Sequence, residues 1–422
     1  FAIAIWDARE GTLLLARDRF GKKPLTYATC NGRLYFASEA KAILTLPDVP
    51  RELDAQSLHR YLIFQYVPAP HSIYRGFRKL LPGHYVKLRA SAAPDETQRA
   101  IWPQPWPSSP DDYWRQRGYE AAKQHLGEVL RRAVEKRLIS DVPLGAFLSG
   151  GVDSSIVVAL MRELGVSPLR TFSIGFGDRR YDETAYARQI AEKFGTKHHE
   201  HIVTPQAREV LDTLAWHYDE PFADSSAIPT YYVSKFARER VTAALTGDAG
   251  DECFAGYDRY VAAQMAARFD FLPKFVRSGL AAAAQLLPHG KAKSTSNRAY
   301  RFLSALGASD ALRYLSWVNV FPPAMLRHGY QPDFAAAVDQ NEPLKWFEAL
   351  CTADHAGLLA ENNADFLSYL PYDLLTKVDI ASMACSLECR APFLDHELVE
   401  FAFSLPLEWR LNGGGGKRIL KD

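Results

Sequence analysis

The stretch Leu144 to Ser155, Leu-Gly-Ala-Phe-Leu-Ser-Gly-Gly-Val-Asp-Ser-Ser, constrains this chain more than any other part of it. An apolar run that reads as a buried strand ends in Ser149-Gly150-Gly151. The pair Ser154 and Ser155 then opens a helix predicted over 154–164. Glycines at a strand-to-helix turn let backbone N–H groups approach a phosphate closely, and the helix N-terminus adds the positive end of its dipole. A Walker A loop would place a lysine after its last glycine, reaching the outer phosphates. No lysine follows Gly151; Asp153 and neighbouring hydroxyls stand there instead. That composition suits a loop gripping a pyrophosphate, with Asp153 recruiting Mg²⁺. The alternative is a glycine-rich turn that only connects strand to helix.

The rest of the chain supplies a frame for such a loop. From 118 onward, strands predicted at 145–148, 169–176, 200–203 and 242–245 alternate with helices at 119–136, 183–193, 206–216 and 229–238. Alternation of this kind predicts an α/β fold, a parallel sheet with helices on both faces. Ligands then bind beyond the carboxyl ends of the strands. After about residue 260 the pattern turns mostly helical. Residues 1–90 instead carry short β segments at 1–6, 12–16, 25–30 and 33–37, with helices at 39–46 and 55–64. A polar stretch with proline and tryptophan follows. We read 91–117 as a linker between a first domain at 1–90 and a second at 118–422.

Size and charge narrow the function. The 422 residues are enough for two domains. A net charge of +1 leaves no electrostatic footprint for nucleic acid or an anionic membrane. No apolar run approaches the ~20 residues needed to span a bilayer. The five cysteines (Cys30, Cys253, Cys351, Cys385, Cys389) are odd in number and scattered, which predicts reduced thiols and a cytoplasmic setting. Cys385 and Cys389 would share a helix face at i, i+4, as buried apolar thiols rather than zinc ligands. His198, His199 and His201 read as a strand entering the sheet edge, not as a metal cluster.

A second motif, Thr246-Gly247-Asp248-Ala249-Gly250-Asp251-Glu252, also lies just past a strand. Three carboxylates in so short a run are costly without a cation. Asp251 with Asp153 makes a reasonable Mg²⁺ pair bridging phosphates. Taken alone, such a stretch is a solvated turn more often than a site; beside the Ser-Gly-Gly loop, the functional reading wins.

The residues 149–155 and 246–252, with Asp219-Glu220-Pro221-Phe222-Ala223-Asp224-Ser225-Ser226 and Cys389-Arg390-Ala391-Pro392-Phe393-Leu394-Asp395, resemble the synthetase domain of glutamine-dependent asparagine synthetases. That domain is a PP-loop ATP pyrophosphatase of Rossmann-like build. Residues 1–88, with Arg17-Asp18-Arg19-Phe20-Gly21-Lys22-Lys23-Pro24 and Phe36-Ala37-Ser38-Glu39, resemble the later half of that family's N-terminal-nucleophile glutaminase domain. The resemblance implies that ATP and L-aspartate form β-aspartyl-AMP and pyrophosphate, and that ammonia from glutamine then attacks the activated carbonyl. It assigns Leu148, Ser149, Gly150, Gly151, Asp153, Ser154 and Ser155 to the ATP phosphates, Ile174 to the adenine side, and Thr246 and Gly247 to the nucleotide pocket. Asp248 matches the acidic residue tied to adenylate formation, and Lys417 a lysine that neutralises charge at the reacting phosphate. Lys377 and Asp379 lie in a segment kept near the substrate, or form an ion pair on a helix face. Glu388 and Arg390 read as a buried structural pair. Ser225 and Ser226 could line an ammonia route, or cap the following helix.

Two positions depart from the family: Thr246 stands for a common Ser, and Ala249 for a common Gly. The latter is harmless only if that backbone needs no positive φ. The family's glutaminase uses an N-terminal cysteine with its own α-amino group as base. None of the five cysteines occupies such a place, so the chain as given is expected not to hydrolyse glutamine. A homodimer stands as one option for assembly. Two other functions stay open: adenylation of a different carboxylate, on a peptide, a cell-surface molecule or a secondary metabolite, and a non-catalytic ATP-binding scaffold.

Overall fold

The computed structural model describes residues 1–89, 97–102, 112–176, 183–203, 207–284, 286, 294–351, 360–413 and 415–422. Its first part holds two antiparallel sheets. One runs in the order Ala2–Asp7, Thr12–Arg17, His84–Arg89 and Arg99–Ala100; the other runs Arg33–Ala37, Thr26–Cys30 and Phe77–Lys79. Leu15, Leu25, Tyr27, Leu80, Val86 and Leu88 close the core of this part.

The Arg17–Pro24 segment shows why its polar residues are there. The buried Arg17 guanidinium donates to the carbonyls of Lys23 (2.8 Å), Leu80 (2.7 Å) and Gly21 (2.7 Å). Asp18 accepts from the backbone N–H groups of Phe20, Lys22 and Lys23. Gly21 sits at φ +70°, and a Cβ there would lie 2.7 Å from Pro82 Cγ. The result is a rigid loop that sends Lys22 and Lys23 across to the second part of the chain.

That second part is built on five parallel strands in the order Lys197–Val203, Arg170–Phe176, Leu144–Phe147, Ala243–Leu245 and Glu388–Arg390. Numbered along the chain, the order is 3-2-1-4-5, the doubly wound arrangement. Small residues fill the sheet centre. A Cβ on Gly145 would lie 2.7 Å from the Phe172 ring, so glycine is what lets that ring pack. The helices Tyr119–Leu138, Val152–Glu163 and His396–Ser404 bury Leu126, Val134, Val158, Met161, Leu398 and Ala402 against one another.

The observed elements differ from the sequence expectations at several ends, and strands at Phe77–Lys79, His84–Arg89 and Glu388–Arg390 are added, as are a strand at Arg99–Ala100 and a helix at Asp112–Arg117 within the stretch read as a linker. The loop helix starts at Val152, because Gly151 already serves as its N-cap. The edge strand begins at Lys197 and so takes in all three histidines. His198 Nδ1 lies 2.9 Å from Thr171 Oγ1, His199 stacks on Phe172, and His201 stacks on Phe236. The pairing of Cys385 with Cys389 on one helix face is corrected. The helix Leu375–Met383 ends before Cys385, and Cys389 sits in the fifth strand.

The Glu388–Arg390 pair is structural but not buried, since the Glu388 side chain is 46% exposed. Arg390 donates to the carbonyls of Arg137 and Ile139 (2.9 and 2.8 Å), tying the last strand to the end of the long helix. Among the described residues no helix is long and apolar enough to cross a membrane.

Candidate active site

The strand order reverses between Leu144–Phe147 and Ala243–Leu245, and both strongest motifs leave the sheet at that point. A doubly wound sheet opens its ligand crevice there, because the flanking loops diverge to opposite faces. Gly150 makes the turn at φ +82°; a Cβ would lie 2.5 Å from Tyr186 Cβ and 2.6 Å from the Ala187 nitrogen. Ser149 and Ser154 brace the loop, with their hydroxyls 3.1 Å apart and the Gly151 N–H donating to Ser149 Oγ at 3.2 Å. The second loop wraps over the first: a Cβ on Gly247 would lie 2.9 Å from Asp153 Cβ, and one on Gly250 would lie 2.5 Å from Asp153 Cγ.

Ala249, between those glycines, adopts φ +75°. The position does need the left-handed region, so this chain carries a strained alanine where glycine would be relaxed.

Lys417 reaches this centre from the far end of the chain. Its Nζ lies 2.5 Å from Asp153 Oδ2 and 2.8 Å from Asp251 Oδ1. Burial raises the Asp153 carboxyl to about 6; Lys417 works to lower it, and Asp251 adds to the rise. Burial works to lower the Lys417 ammonium, but the two carboxylates outweigh it and hold its pKa above the ordinary value. Asp153 Oδ1 is buried without a hydrogen-bond partner. An orphaned carboxylate oxygen, with a second carboxylate on the same lysine, fits a Mg²⁺ ion held by two carboxylates and substrate phosphates.

Two adjoining chambers extend from this point. One of about 430 Å³ is lined by Ser149, Gly151, Asp153, Ser154, Thr246, Gly247, Asp248, Asp251, Lys377 and Lys417 among others. The other, of about 240 Å³, is more apolar and is lined by Leu148, Phe172, Ile174, Ala187 and Val233. They share Phe147, Ser149, Glu183, Pro229, Thr230 and Val233. The pair has the shape a nucleotide requires, an apolar slot for a base beside a polar cradle for phosphates. Gly150 and Ser155 line neither chamber: Gly150 makes the turn, and Ser155 Oγ is buried without a partner in the helix behind it. A wider cleft of about 690 Å³ near Arg19, Lys22, Arg137 and Arg390 contains none of these residues.

The polar chamber has a second charged group on its wall. Lys377 Nζ donates to Asp224 Oδ2 at 2.7 Å and to Ser226 Oγ at 2.8 Å, so it makes no ion pair with Asp379. Although burial opposes the charge, Lys377 and Ser226 hold Asp224 below the usual carboxylate range. Asp373 is pushed up to about 8 by burial, with Asp224 beside it. Ser226 precedes the helix Ala227–Arg238, but its hydroxyl donates to Asp224 Oδ1 at 2.6 Å and caps nothing. Thr246 Oγ1 donates to Asp248 Oδ2 at 2.6 Å, so threonine keeps the hydroxyl in use.

Sequence reasoning missed Glu183, Thr230 and the Asp224–Ser226 partnership with Lys377. The Asp219–Ser226 motif was visible, but nothing local shows which distant lysine it meets.

Residues 125–422 match the family model for asparagine synthase, and residues 1–99 match that for the glutamine amidotransferase domain. The chain is 30% identical over its whole length to an asparagine synthetase (glutamine-hydrolysing) of Bacillus subtilis, covering 64% of that protein. It is 26% identical to another asparagine synthetase of the same organism, covering 63% of it. A Penicillium rubens protein named amidase chyE is 27% identical over 97% of this chain and 64% of its own length. The chain therefore spans less than two thirds of these relatives. With the asparagine synthase match covering well over half of its residues, the chain belongs to the asparagine synthase family.

Proposed function

We propose that the protein is an ATP-dependent ligase that converts L-aspartate to L-asparagine through β-aspartyl-AMP, with ammonia drawn from glutamine in the full-length protein. The observation that carries this reading is the Lys417–Asp153–Asp251 centre under the Ser-Gly-Gly loop, between an apolar slot and a polar chamber.

Adenylation joins an acceptor carboxylate oxygen to the α-phosphorus of ATP and breaks the bond to the β-phosphate oxygen, so pyrophosphate leaves. Negative charge gathers on the leaving group. A fixed lysine and a row of backbone N–H groups stabilise it without reorganising in the transition state. Mg²⁺, held by Asp153 and Asp251, would supply further charge neutralisation to the phosphates. Asp248, held by Thr246, faces the same chamber, where it orients the acceptor. Lys377 and Ser226 form the acceptor-side wall, with Asp224 behind them holding both, and the Lys377 ammonium suits an acceptor's carboxylate. Ammonia then attacks the acyl carbon, AMP departs, and the nitrogen sheds a proton.

Adenylation of another carboxylate is kept as a second reading, because relatives of comparable identity include a protein named as an amidase. The test is AMP and pyrophosphate release by the full-length protein with Mg²⁺ and ammonia, with and without L-aspartate. Asparagine formed one for one with AMP is expected. AMP formed only with a different acid replaces aspartate in the reading, and no AMP with any acid overturns it.

A further inference from the structure

The Asp219–Ser226 segment has two halves with different neighbours. Its second half meets the polar chamber at Ser226, and Asp224 stands behind it; both bond to Lys377 on the chamber wall. Its first half is held by residues of the amidotransferase-like part of the chain. Lys41 Nζ donates to Asp219 Oδ1 at 2.9 Å, and Tyr74 Oη donates to the Asp219 carbonyl at 3.1 Å. Lys79 pairs with Glu220, whose other oxygen accepts from the Ile73 N–H at 3.1 Å. The Ala223 N–H donates to the Gln65 carbonyl at 3.0 Å. The other side of the wall is gripped in the same way. Lys23 lies 2.5 Å from Asp379, two residues beyond Lys377 on the helix Leu375–Met383.

We propose that residues 1–99 position the acceptor-side wall of the synthetase chamber, with Lys79–Glu220 and Lys23–Asp379 as the positioning pairs for Asp224 and Lys377. The inference rests on the adenylating-ligase reading above. Its physical basis is that a short segment anchored at one end by half-buried charge-assisted hydrogen bonds is held closer to one position at the other end. Lys79 and Glu220 side chains are only 20% and 19% exposed, so their pairing is not a solvated surface contact. Neither pair touches the phosphate loop. Acceptor geometry and ATP geometry should therefore separate when a pair is lost.

The test uses the full-length protein with ammonia as nitrogen source, so that glutamine hydrolysis contributes nothing. Lys79→Met and Glu220→Gln should each raise the KM for the acceptor about tenfold, with the KM for ATP unchanged within about twofold. Amide hydrogen exchange over 219–226 should quicken at least tenfold in Lys79→Met, while the segment 149–155 keeps its protection. Lys87→Met removes the exposed Lys87–Glu10 pair of the same part and should change neither readout.

Unchanged acceptor KM and unchanged exchange overturn the proposal. Equal rises in both KM values, or a fall in kcat alone, also overturn it, since those mark a general structural loss. If the unsubstituted protein releases no AMP, the adenylation reading fails, and the exchange measurement alone decides whether the pairs hold the segment.

Discussion

Replacing Lys417 with methionine removes the cation between Asp153 and Asp251 and keeps most of the side-chain volume. Two effects follow, and they differ in size. The first is on stability. With the lysine present, the Asp153 pKa is raised from its ordinary 3.8 to about 6, which at pH 7 already costs about 3 kcal/mol relative to the unfolded chain. A carboxyl kept wholly neutral at pH 7 would cost about 4 kcal/mol on the same basis. Once the lysine is gone, Asp153 takes up a proton and stops there, so this residue adds only about 1 kcal/mol. The second effect is on chemistry. A fixed cation at the leaving pyrophosphate contributes roughly 3 kcal/mol of transition-state stabilisation, a factor of about 10² in rate. Lys417→Met should therefore melt only a few degrees lower yet release AMP about a hundredfold more slowly. Added Mg²⁺ should raise its melting temperature more than that of the parent, because the ion no longer competes with an ammonium for Asp153 and Asp251 and displaces the Asp153 proton as it binds. The assay is AMP release in the full-length protein beside thermal melting with and without Mg²⁺. A rate within threefold of the parent, or unfolding at 25 °C, would refute the reasoning.

Other outcomes follow from the same groups. Because the Asp153 pKa stands at about 6, protonation should abolish Mg²⁺-dependent AMP release as pH falls below that value, and the acid limb should move upward in Lys417→Met; the pH profile of kcat/KM checks this. Glu252 is fully buried, with Tyr257 Oη donating to it, and burial pushes its carboxyl up to about 8. Folding therefore holds a proton on Glu252 that the unfolded chain releases, and stability is lost as pH rises from about 4.5 to about 8. Glu252→Gln should escape that loss, so its melting temperature should gain on the parent across this range. At Ala249, φ +75° predicts that Ala249→Val loses about 2 kcal/mol or more, whereas Ala249→Gly stays within about 1 kcal/mol; denaturant titration separates the two.

Much of the site was legible because its signals are local. Ser149-Gly150-Gly151 and Thr246-Gly247-Asp248 each follow an apolar strand, and turn chemistry fixes what such glycines can do. The three histidines were expected at a strand on the sheet edge, but that strand begins at Lys197 rather than 200, and the rings they stack on come from elements distant in the chain. Other features had no local signal. Glu388–Arg390 is three residues long and polar, yet it completes the sheet by pairing with Ala243–Leu245. Nothing in Glu-Cys-Arg predicts a strand. At Ala249 the sequence raised the question of a positive φ but did not answer it, because a residue's φ depends on where the next loop must go.

The sequence by itself determined the α/β frame and the two loops at the carboxyl ends of strands, because hydrophobic period and glycine placement act within a few residues. Only the tertiary structure decided that Lys417 would stand between Asp153 and Asp251, 264 residues from the first of them. It also decided that Lys377 would bind Asp224 rather than Asp379, and that lysines from the first part of the chain would pair with Asp379 and Glu220. These are charges brought together by the packing of helices and sheets far apart in the chain. Their partners are chosen by burial, which makes an unpaired charge too costly to leave alone.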